Sequence, residues 1–178
     1  AVIPAIDYRY KTLSVSHLDQ MQQFIDDLIE RDAISRHELF HSYIDKMRFK
    51  RPNDFPEAKF IIVLARFSQA RQVVFHYQGR HYPIIIPPQY TDDGVTVDQI
   101  IELIQHDIIR EKGYQVKRAR GLFLKHLAVR SGLGHYGRNN VCYVDGMGSY
   151  IHLSAYFTDF EFQEDSFHDL RMMDLCRN

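Results

Sequence analysis

A run of apolar residues constrains the fold of this chain more than any other feature of its sequence. Residues 59–67 read KFIIVLARF, which is the length of a strand and short for a helix. A strand with one solvated face alternates apolar and polar residues, so this run predicts a strand buried on both faces. Other elements must cover both sides, and a chain of 178 residues is long enough to form one such domain.

Four helices are predicted from N-cap residues and from apolar positions three and four residues apart. They run from Ser16 to about Leu28, from the Ser35–Glu38 capping box to Phe49, from Thr96 to Gly113, and from Leu124 to Gly132. The third has the clearest pattern, because a single stripe of Val and Ile side chains follows its Thr cap.

Strands are predicted where β-branched and aromatic residues cluster between turn residues. Their ranges are 8–15, 59–67, 72–77, 80–86, 114–119, 139–145 and 149–158. Gln78-Gly79 is typical of a hairpin turn, and the segment Asp145 to Gly148 of a second tight turn. These elements predict an α/β (α+β) fold, in which a mixed sheet with hairpins is flanked by helices.

The overall charge indicates no particular partner, but its distribution is uneven. The net charge is −1, whereas residues 110–138 contain eight Lys or Arg and one acid. Residues 159–178 contain six acids and two arginines. A basic stretch of this kind can hold phosphate or nucleic acid, although most are only solvated faces.

The cysteine count and the hydropathy pattern indicate the compartment. Two cysteines, Cys142 and Cys176, form no disulfide framework, and Cys142 in a predicted strand is expected to be a buried, inert thiol. No apolar run approaches the roughly 20 residues of a membrane span, and the first residues lack the layout of a secretory signal. We expect a cytoplasmic protein with no membrane partner; the sequence leaves the oligomeric state open.

One generic motif predicts zinc chemistry. His37-Glu38-Leu39-Phe40-His41 matches the H-E-x-x-H pattern, in which two His on one helix face hold zinc and the Glu acts as base. The context is poor, since no third ligand is obvious and Glu38 already has a predicted capping role. A zinc metallopeptidase using His37, Glu38 and His41 is therefore a minor alternative.

Residues 132–140, here called the glycine loop, carry the least ordinary pattern. The segment from Leu127 reads LAVRSGLGHYGRNN, with Gly132, Gly134 and Gly137 followed by Arg138, Asn139 and Asn140. One glycine after a helix is an ordinary C-cap, but three in six residues predict close approach to a bulky group. The order helix-to-strand excludes a Rossmann fingerprint. The pattern indicates a cofactor or phosphate cradle.

The same residues resemble a known family. LAVRSGLGHYGRNN and then GMGSYIHLSAYFTDFEF are similar to the epoxyqueuosine reductase and reductive dehalogenase superfamily, whose motif is Leu-Ala-x-x-small-Gly-Leu-Gly-x-x-Gly-Lys/Arg. A Gly-Ser turn and a Thr-Asp strand end follow the motif, matched by Gly148-Ser149 and Thr158-Asp159. The strong match covers residues 114–178.

The resemblance implies a cobalamin-binding fold similar to nitroreductases and flavin reductases, followed by a ferredoxin-like domain with two 4Fe-4S clusters. Residues 1–160 would form the cobalamin-binding domain and 161–178 an acidic connector into the iron–sulfur domain. Cys176 would be the first cluster ligand, a metal site whose other ligands lie mostly outside this chain. The D-x-H-x-x-G signature of His-ligated cobalt is absent from the sequence. The cofactor contacts would come from Gly132, Leu133, Gly134, Gly137, Arg138, Asn139, Asn140 and Ser149.

One departure from the family pattern affects catalysis. Epoxyqueuosine reductases carry a proton-donating Asp fourteen residues before the first glycine of the motif and a Pro three residues after it; this chain has Arg118 and Gly121 there. The epoxyqueuosine reaction itself is therefore in doubt. Arg118 occupies the position of the catalytic acid, and Tyr136 would be the substitute proton donor, although a Tyr beside a tight turn more often serves packing.

The resemblance favours a corrinoid-binding domain of an iron–sulfur oxidoreductase, with the substrate open between a small molecule and tRNA. Two alternatives stay open beside the zinc peptidase. One is a non-catalytic corrinoid or electron-transfer module, which would explain Arg118. The other is a tRNA-binding module that uses the basic residues 110–138 to hold phosphates.

Overall fold

The strand predicted to be buried on both faces lies at the centre of the molecule. In this computed structural model, which describes residues 6–170 and 173, β2 (Phe60–Phe67) pairs with β1 (Tyr8–Ser14) on one side. On the other side it pairs with β8 (Ile151–Thr158), which pairs in turn with β5 (Val116–Arg118). The sheet order is β1–β2–β8–β5, and each of these three pairs is antiparallel.

Two apolar cores cover the two faces of this sheet. Ile61, Val63 and Ala65 belong to the first core, while Ile62 and Leu64 belong to the second. All five are fully buried, which confirms the prediction made from the apolar run. Side chains alternate between faces along a strand, so β2 can contribute to both cores only because each face is covered.

Four helices cover the sheet, close to the predicted positions. They are α1 (Leu18–Glu30), α2 (Glu38–Lys46), α3 (Val97–Leu103), which continues as a π-helical turn (Ile104–Ile109), and α4 (Leu124–Arg130). Thr96 and Gln99 form the capping box of α3, whose apolar side packs in the second core. Leu127, Ala128 and Val129 of α4 are buried in the first core.

The start and end of α2 differ from the prediction. The Ser35–Glu38 capping box does not form, since His37 is the N-cap and its Nδ1 accepts a hydrogen bond from Leu39 N–H at 3.2 Å. Ser35 Oγ instead accepts a hydrogen bond from His37 N–H. The helix ends at Lys46, because Met47 has an extended backbone with φ −111° and ψ 122°.

The predicted hairpin projects from the molecule. β3 (Arg71–Tyr77) and β4 (Arg80–Ile86) pair with each other only, and every residue of both strands except Ile86 is exposed. The turn has φ 47° at Gln78 and φ 75° at Gly79, the left-handed pair that hairpins favour.

The strand predicted for 139–145 is much shorter. Only β7 (Cys142–Tyr143) forms, and it pairs with β6 (His135–Tyr136) rather than with the central sheet. Asn140 has φ 59°, which interrupts an extended backbone just before β7. The turn after β7 forms as predicted, closed by a bridge between Val144 and Gly148. The α+β arrangement with hairpins is confirmed.

Within residues 6–170 and 173, no helix is long and apolar enough to cross a membrane.

Candidate functional site: a basic cavity at the sheet edge

The short edge strand β5 positions a strongly charged concave surface. Its register pairs Lys117 with Phe157 and Arg118 with Tyr156 of β8. Because neighbouring side chains on a strand point to opposite faces, Arg118 lies on the face of Val116 and α3, and Lys117 on the other. The outer side of β5 pairs with no further strand of this sheet.

A cavity of about 630 Å³ opens beside β5. Its walls come from the end of α2, the following segment, α3, β5 and the turn after β5. Apolar side chains from α3, β5 and β8 line one part, namely Val97, Ile101, Val116 and Phe157. The volume is in the range of small-molecule binding sites.

Positive charge dominates this cavity, here called the basic cavity. Its six cations are Lys46, Arg48, Lys50, Lys117, Arg118 and Arg120, and its two acids are Asp45 and Asp54, an excess of four positive charges. Such an excess in a concave surface raises the local concentration of anions.

Most of these cations have no internal partner. Lys117 forms an ion pair with Asp54, and the hydrogen bond from Lys117 is the main cause that lowers the pKa of Asp54. Arg48 donates to the carbonyl of Ile44 at 3.3 Å. Within residues 6–170 and 173, the side chains of Lys46, Lys50, Arg118 and Arg120 form neither a hydrogen bond nor an ion pair.

The turn after β5 has a backbone that excludes proline. Gly121 has φ 72°, and its carbonyl accepts a hydrogen bond from Arg48 N–H at 2.9 Å. A proline ring fixes φ near about −65°, so the Pro expected from the family pattern could not adopt this conformation. Gly121 thereby joins the turn carrying Arg120 to the segment carrying Arg48.

Arg118 also borders a smaller cavity of about 130 Å³ on the α3 side. There Arg66 forms an ion pair with Asp93 at 2.5 Å, and His152 Nε2 lies 3.6 Å from the same carboxylate. Burial would raise the pKa of Asp93, but hydrogen bonds from Val95 N–H and Arg66 lower it. Asp93 therefore neutralises Arg66 and leaves Arg118 as the free cation between the two cavities.

The glycine loop lies elsewhere, and none of its residues lines either of these two cavities. An added Cβ at Gly134 would lie 2.8 Å from both Cys142 Sγ and the Tyr143 carbonyl. At Gly137 it would lie 2.6 Å from the Tyr143 ring, and at Gly132 2.8 Å from the ring of His168. The chain's own atoms thus occupy the space that these glycines leave, so that space does not fit a macrocycle.

Several polar groups of the glycine loop already form hydrogen bonds with other groups of the chain. Asn139 accepts a hydrogen bond from Val141 N–H and donates one to Tyr143 Oη, both at 3.1 Å. The Asn140 carbonyl accepts one from Lys125 Nζ at 2.8 Å. Leu133 is buried in the first core, whereas Arg138 is exposed and Ser149 half-buried. The outer surface of the loop is what a cofactor could contact.

Tyr136 and Arg118, the two predicted catalytic residues, belong to different sheets and share none of these cavities. Burial, and to a lesser extent Cys142, raises the pKa of Tyr136 to about 12, which makes it a weaker acid. Burial likewise raises the pKa of Cys142 to about 11, as expected for an inert thiol. Arg118 is a guanidinium, which does not give up its proton at neutral pH.

The zinc-peptidase interpretation is not supported. His37 is an N-cap whose Nδ1 is engaged by Leu39 N–H. Among residues 6–170 and 173, no group of three or more His, Cys, Asp or Glu side chains is placed to hold a metal ion. Cys176, predicted as a cluster ligand, lies outside the described residues.

The first part of the acidic segment, residues 161–170, lies against β1 and α4. Ser166 N–H donates to the Thr12 carbonyl at 3.0 Å, and His168 N–H to the Arg130 carbonyl at 2.7 Å. His17 contacts Asp165 at 2.7 Å and stacks on Phe167 at 4.0 Å between ring centroids. Whether it leads into a further domain stays a prediction.

Half of the basic cavity was not predicted from the sequence. Lys117, Arg118 and Arg120 belong to the predicted basic stretch, but Lys46, Arg48 and Lys50 do not. The alternating basic residues from Lys46 to Lys50 were the available signal. Their meaning depends on the contact with the turn after β5, which only the fold provides.

Solved epoxyqueuosine reductases share this fold. The enzyme from Streptococcus thermophilus matches with a TM-score of 0.55 at 16% identity, covering 94% of this chain and 46% of that one. The Bacillus subtilis enzyme gives 0.54 at 16% identity, covering 96% and 45%. An epoxyqueuosine reductase solved with an epoxyqueuosine-modified tRNA-Tyr stem loop gives 0.57 at 16% identity, covering 96% and 46%.

The chain thus spans less than half the length of these proteins. No model of a protein family matches its sequence, and neither does any curated protein. At this level of identity the likeness establishes the fold, and to that extent the resemblance inferred from the glycine loop is confirmed.

Proposed function

We propose that this chain is the corrinoid-binding domain of a cytoplasmic reductase built on the epoxyqueuosine reductase fold. The observation that carries the proposal is that the chain is similar to these reductases both in fold and in one sequence motif. The fold matches over 94% or more of the chain, and the family's Gly-Leu-Gly motif occurs between α4 and β6.

Under this proposal the glycine loop presents an outer surface to the cofactor. Arg138 and Ser149 would contact its polar edge, while the buried Gly134 and Gly137 fix the shape of the loop. A bound corrinoid would supply the reducing centre, and an iron–sulfur domain elsewhere in the protein would supply electrons. Arg118, which is no acid, would bind an anionic group in place of donating a proton.

A visible-spectrum titration tests the proposal. The chain is titrated under anaerobic conditions with cobalamin and, separately, with a flavin. Saturable binding of cobalamin with a base-off spectrum is expected, and Arg138→Gln should weaken it while Arg80→Gln, on the exposed hairpin, should not. Binding of flavin alone, or of neither, would refute the corrinoid assignment and leave an electron-transfer module.

RNA binding is a second candidate function. The epoxyqueuosine reductase solved with a tRNA stem loop has this fold, and the basic cavity adds Lys46, Arg48 and Lys50 to the basic residues 110–138. In the same titration series, a labelled RNA stem loop should then bind with an affinity that falls steeply as salt rises. An affinity insensitive to salt would exclude phosphate recognition as its basis.

A further inference from the structure

The basic cavity combines three properties that favour binding of an organic anion. It is concave and of small-molecule size, it has an excess of four positive charges, and apolar side chains cover part of its wall. Here the acids pair with only part of the cations, since Asp54 contacts Lys117.

The free cations come from two segments far apart in sequence. Lys46 ends α2 and Lys50 lies in the segment after it, whereas Arg118 ends β5 and Arg120 lies in the turn that follows. The hydrogen bond from Arg48 N–H to the Gly121 carbonyl joins these segments at the cavity. Bringing like charges together costs Coulomb energy, which solvent and salt screen in part and which an anion bound between them would offset.

The type of cation indicates the type of anion. Arg118 and Arg120 each present a planar fork of N–H donors, which matches phosphate or carboxylate oxygens in pairs. Lys46 and Lys50 add two point charges. Four cations without an internal partner fit a multiply charged anion better than a single carboxylate. Val97, Ile101, Val116 and Phe157 leave an apolar surface for an organic part of the ligand.

We propose that the basic cavity binds the phosphate group of a phosphorylated small molecule, held by the Arg118 and Arg120 guanidinium groups. This site is separate from the outer surface of the glycine loop proposed for the cofactor, because the loop does not line the basic cavity. It does not depend on the corrinoid assignment. The ligand of this site would be an anion rather than a neutral molecule.

Isothermal titration of the full chain with inorganic pyrophosphate, without cofactor, tests the proposal. One saturable site is expected. Arg118→Gln and Arg120→Gln should each weaken binding about ten-fold or more, the effect of losing one charge-assisted interaction. Arg80→Gln, on the exposed hairpin and outside the cavity, should bind like the parent chain. Two separate Arg variants keep the result interpretable if one of them folds poorly.

Four outcomes would overturn the proposal. These are the absence of saturable pyrophosphate binding, equal binding by both cavity variants and the parent, equally tight binding of succinate, and binding of an RNA stem loop but not of pyrophosphate. A competition arm separates the two proposals. Pyrophosphate and cobalamin should bind together, whereas mutual displacement would place the cofactor's own phosphate in the cavity. Failure of cobalamin to bind leaves the pyrophosphate result unaffected.

Discussion

The glycine loop and the basic cavity differ in what their unusual residues contact. In the glycine loop, the space at Gly134 and Gly137 is filled by Cys142 and Tyr143 of the same chain. In the basic cavity, Arg118 and Arg120 have no internal hydrogen bond or ion pair within the described residues. An unusual sequence pattern can therefore be explained by packing alone, whereas cations left without an internal partner in a cavity are available to an external anion.

The most direct way to break this comparison is to substitute Gly134. Gly134→Ala places a Cβ 2.8 Å from Cys142 Sγ and the Tyr143 carbonyl, so the loop must shift. We expect the free energy of unfolding to fall by about 3 kcal/mol, the upper part of the usual range for overpacking. Urea denaturation of parent and variant measures the difference.

Gly146→Ala is the matched control. Gly146 has φ 76° with no atom within 4 Å of an added Cβ, so only backbone strain of roughly 1 kcal/mol is expected. If Gly134→Ala destabilises no more than this control, the loop has room at its glycines. The interpretation of these glycines as a cofactor cradle would then regain its support.

The same result decides how a loss of corrinoid binding is interpreted. A bulky substitution such as Gly134→Val would be expected from the sequence to abolish binding with the fold intact. The contacts at Gly134 predict instead that this substitution destabilises the fold itself. Exposed Arg138 is the better position for testing the loop, because its substitution adds no atom to the filled space at Gly134.

The packed side of the molecule also predicts an acid sensitivity, of smaller size. His126 of α4 is 5% exposed between the rings of Phe24 and Phe49, and its Nε2 has no hydrogen-bond partner in the described structure. Burial, and next Arg130, lowers its pKa from 6.5 to about 4. Below pH 6.5 the unfolded chain therefore takes up a proton that the folded chain does not, and stability falls towards pH 4.

One pKa unit corresponds to about 1.4 kcal/mol. Because of His126, the free energy of unfolding should therefore fall by roughly 2 kcal/mol between pH 7 and pH 5. Urea denaturation at both pH values measures the loss. His126→Phe should show a smaller loss than the parent, while His81→Phe on the exposed hairpin should show the parent's loss. An equal loss in His126→Phe would mean that the histidine is solvated, and that this side is less tightly packed than described.

Much of the fold could be predicted because its signals are local. The apolar run in β2, the Thr96 cap and the Gln78-Gly79 turn each specify their own structure. The predicted start of α2 was wrong because His37, and not Ser35, is the N-cap. The strand predicted for 139–145 is shorter because Asn140 has a left-handed backbone, which local propensity does not reveal.

The candidate site was less predictable because it depends on contacts between distant segments. The basic residues near Lys46 and those near Arg118 form one cavity only when α2 and the turn after β5 lie together. The glycine loop attracted attention because its pattern is local, and the family resemblance carried by it was right about the fold. Whether glycines face a ligand or their own chain depends on the position of β7.

The smallest expected effect concerns the affinity of the basic cavity for pyrophosphate. Asp54 is exposed and forms an ion pair with Lys117, whose hydrogen bond lowers the pKa of the carboxyl group. Asp54→Asn frees Lys117 and removes one of the two acids, so pyrophosphate should bind about two-fold tighter through the added charge in a high-dielectric site. No measurable change in stability is expected for so exposed a pair. Asp7→Asn, which removes the exposed partner of Arg9 outside the cavity, should leave the affinity unchanged. Weaker binding in Asp54→Asn would instead mean that Asp54 orients Lys117 towards the ligand, and the cavity would then be organised by its acid as well as by its free cations.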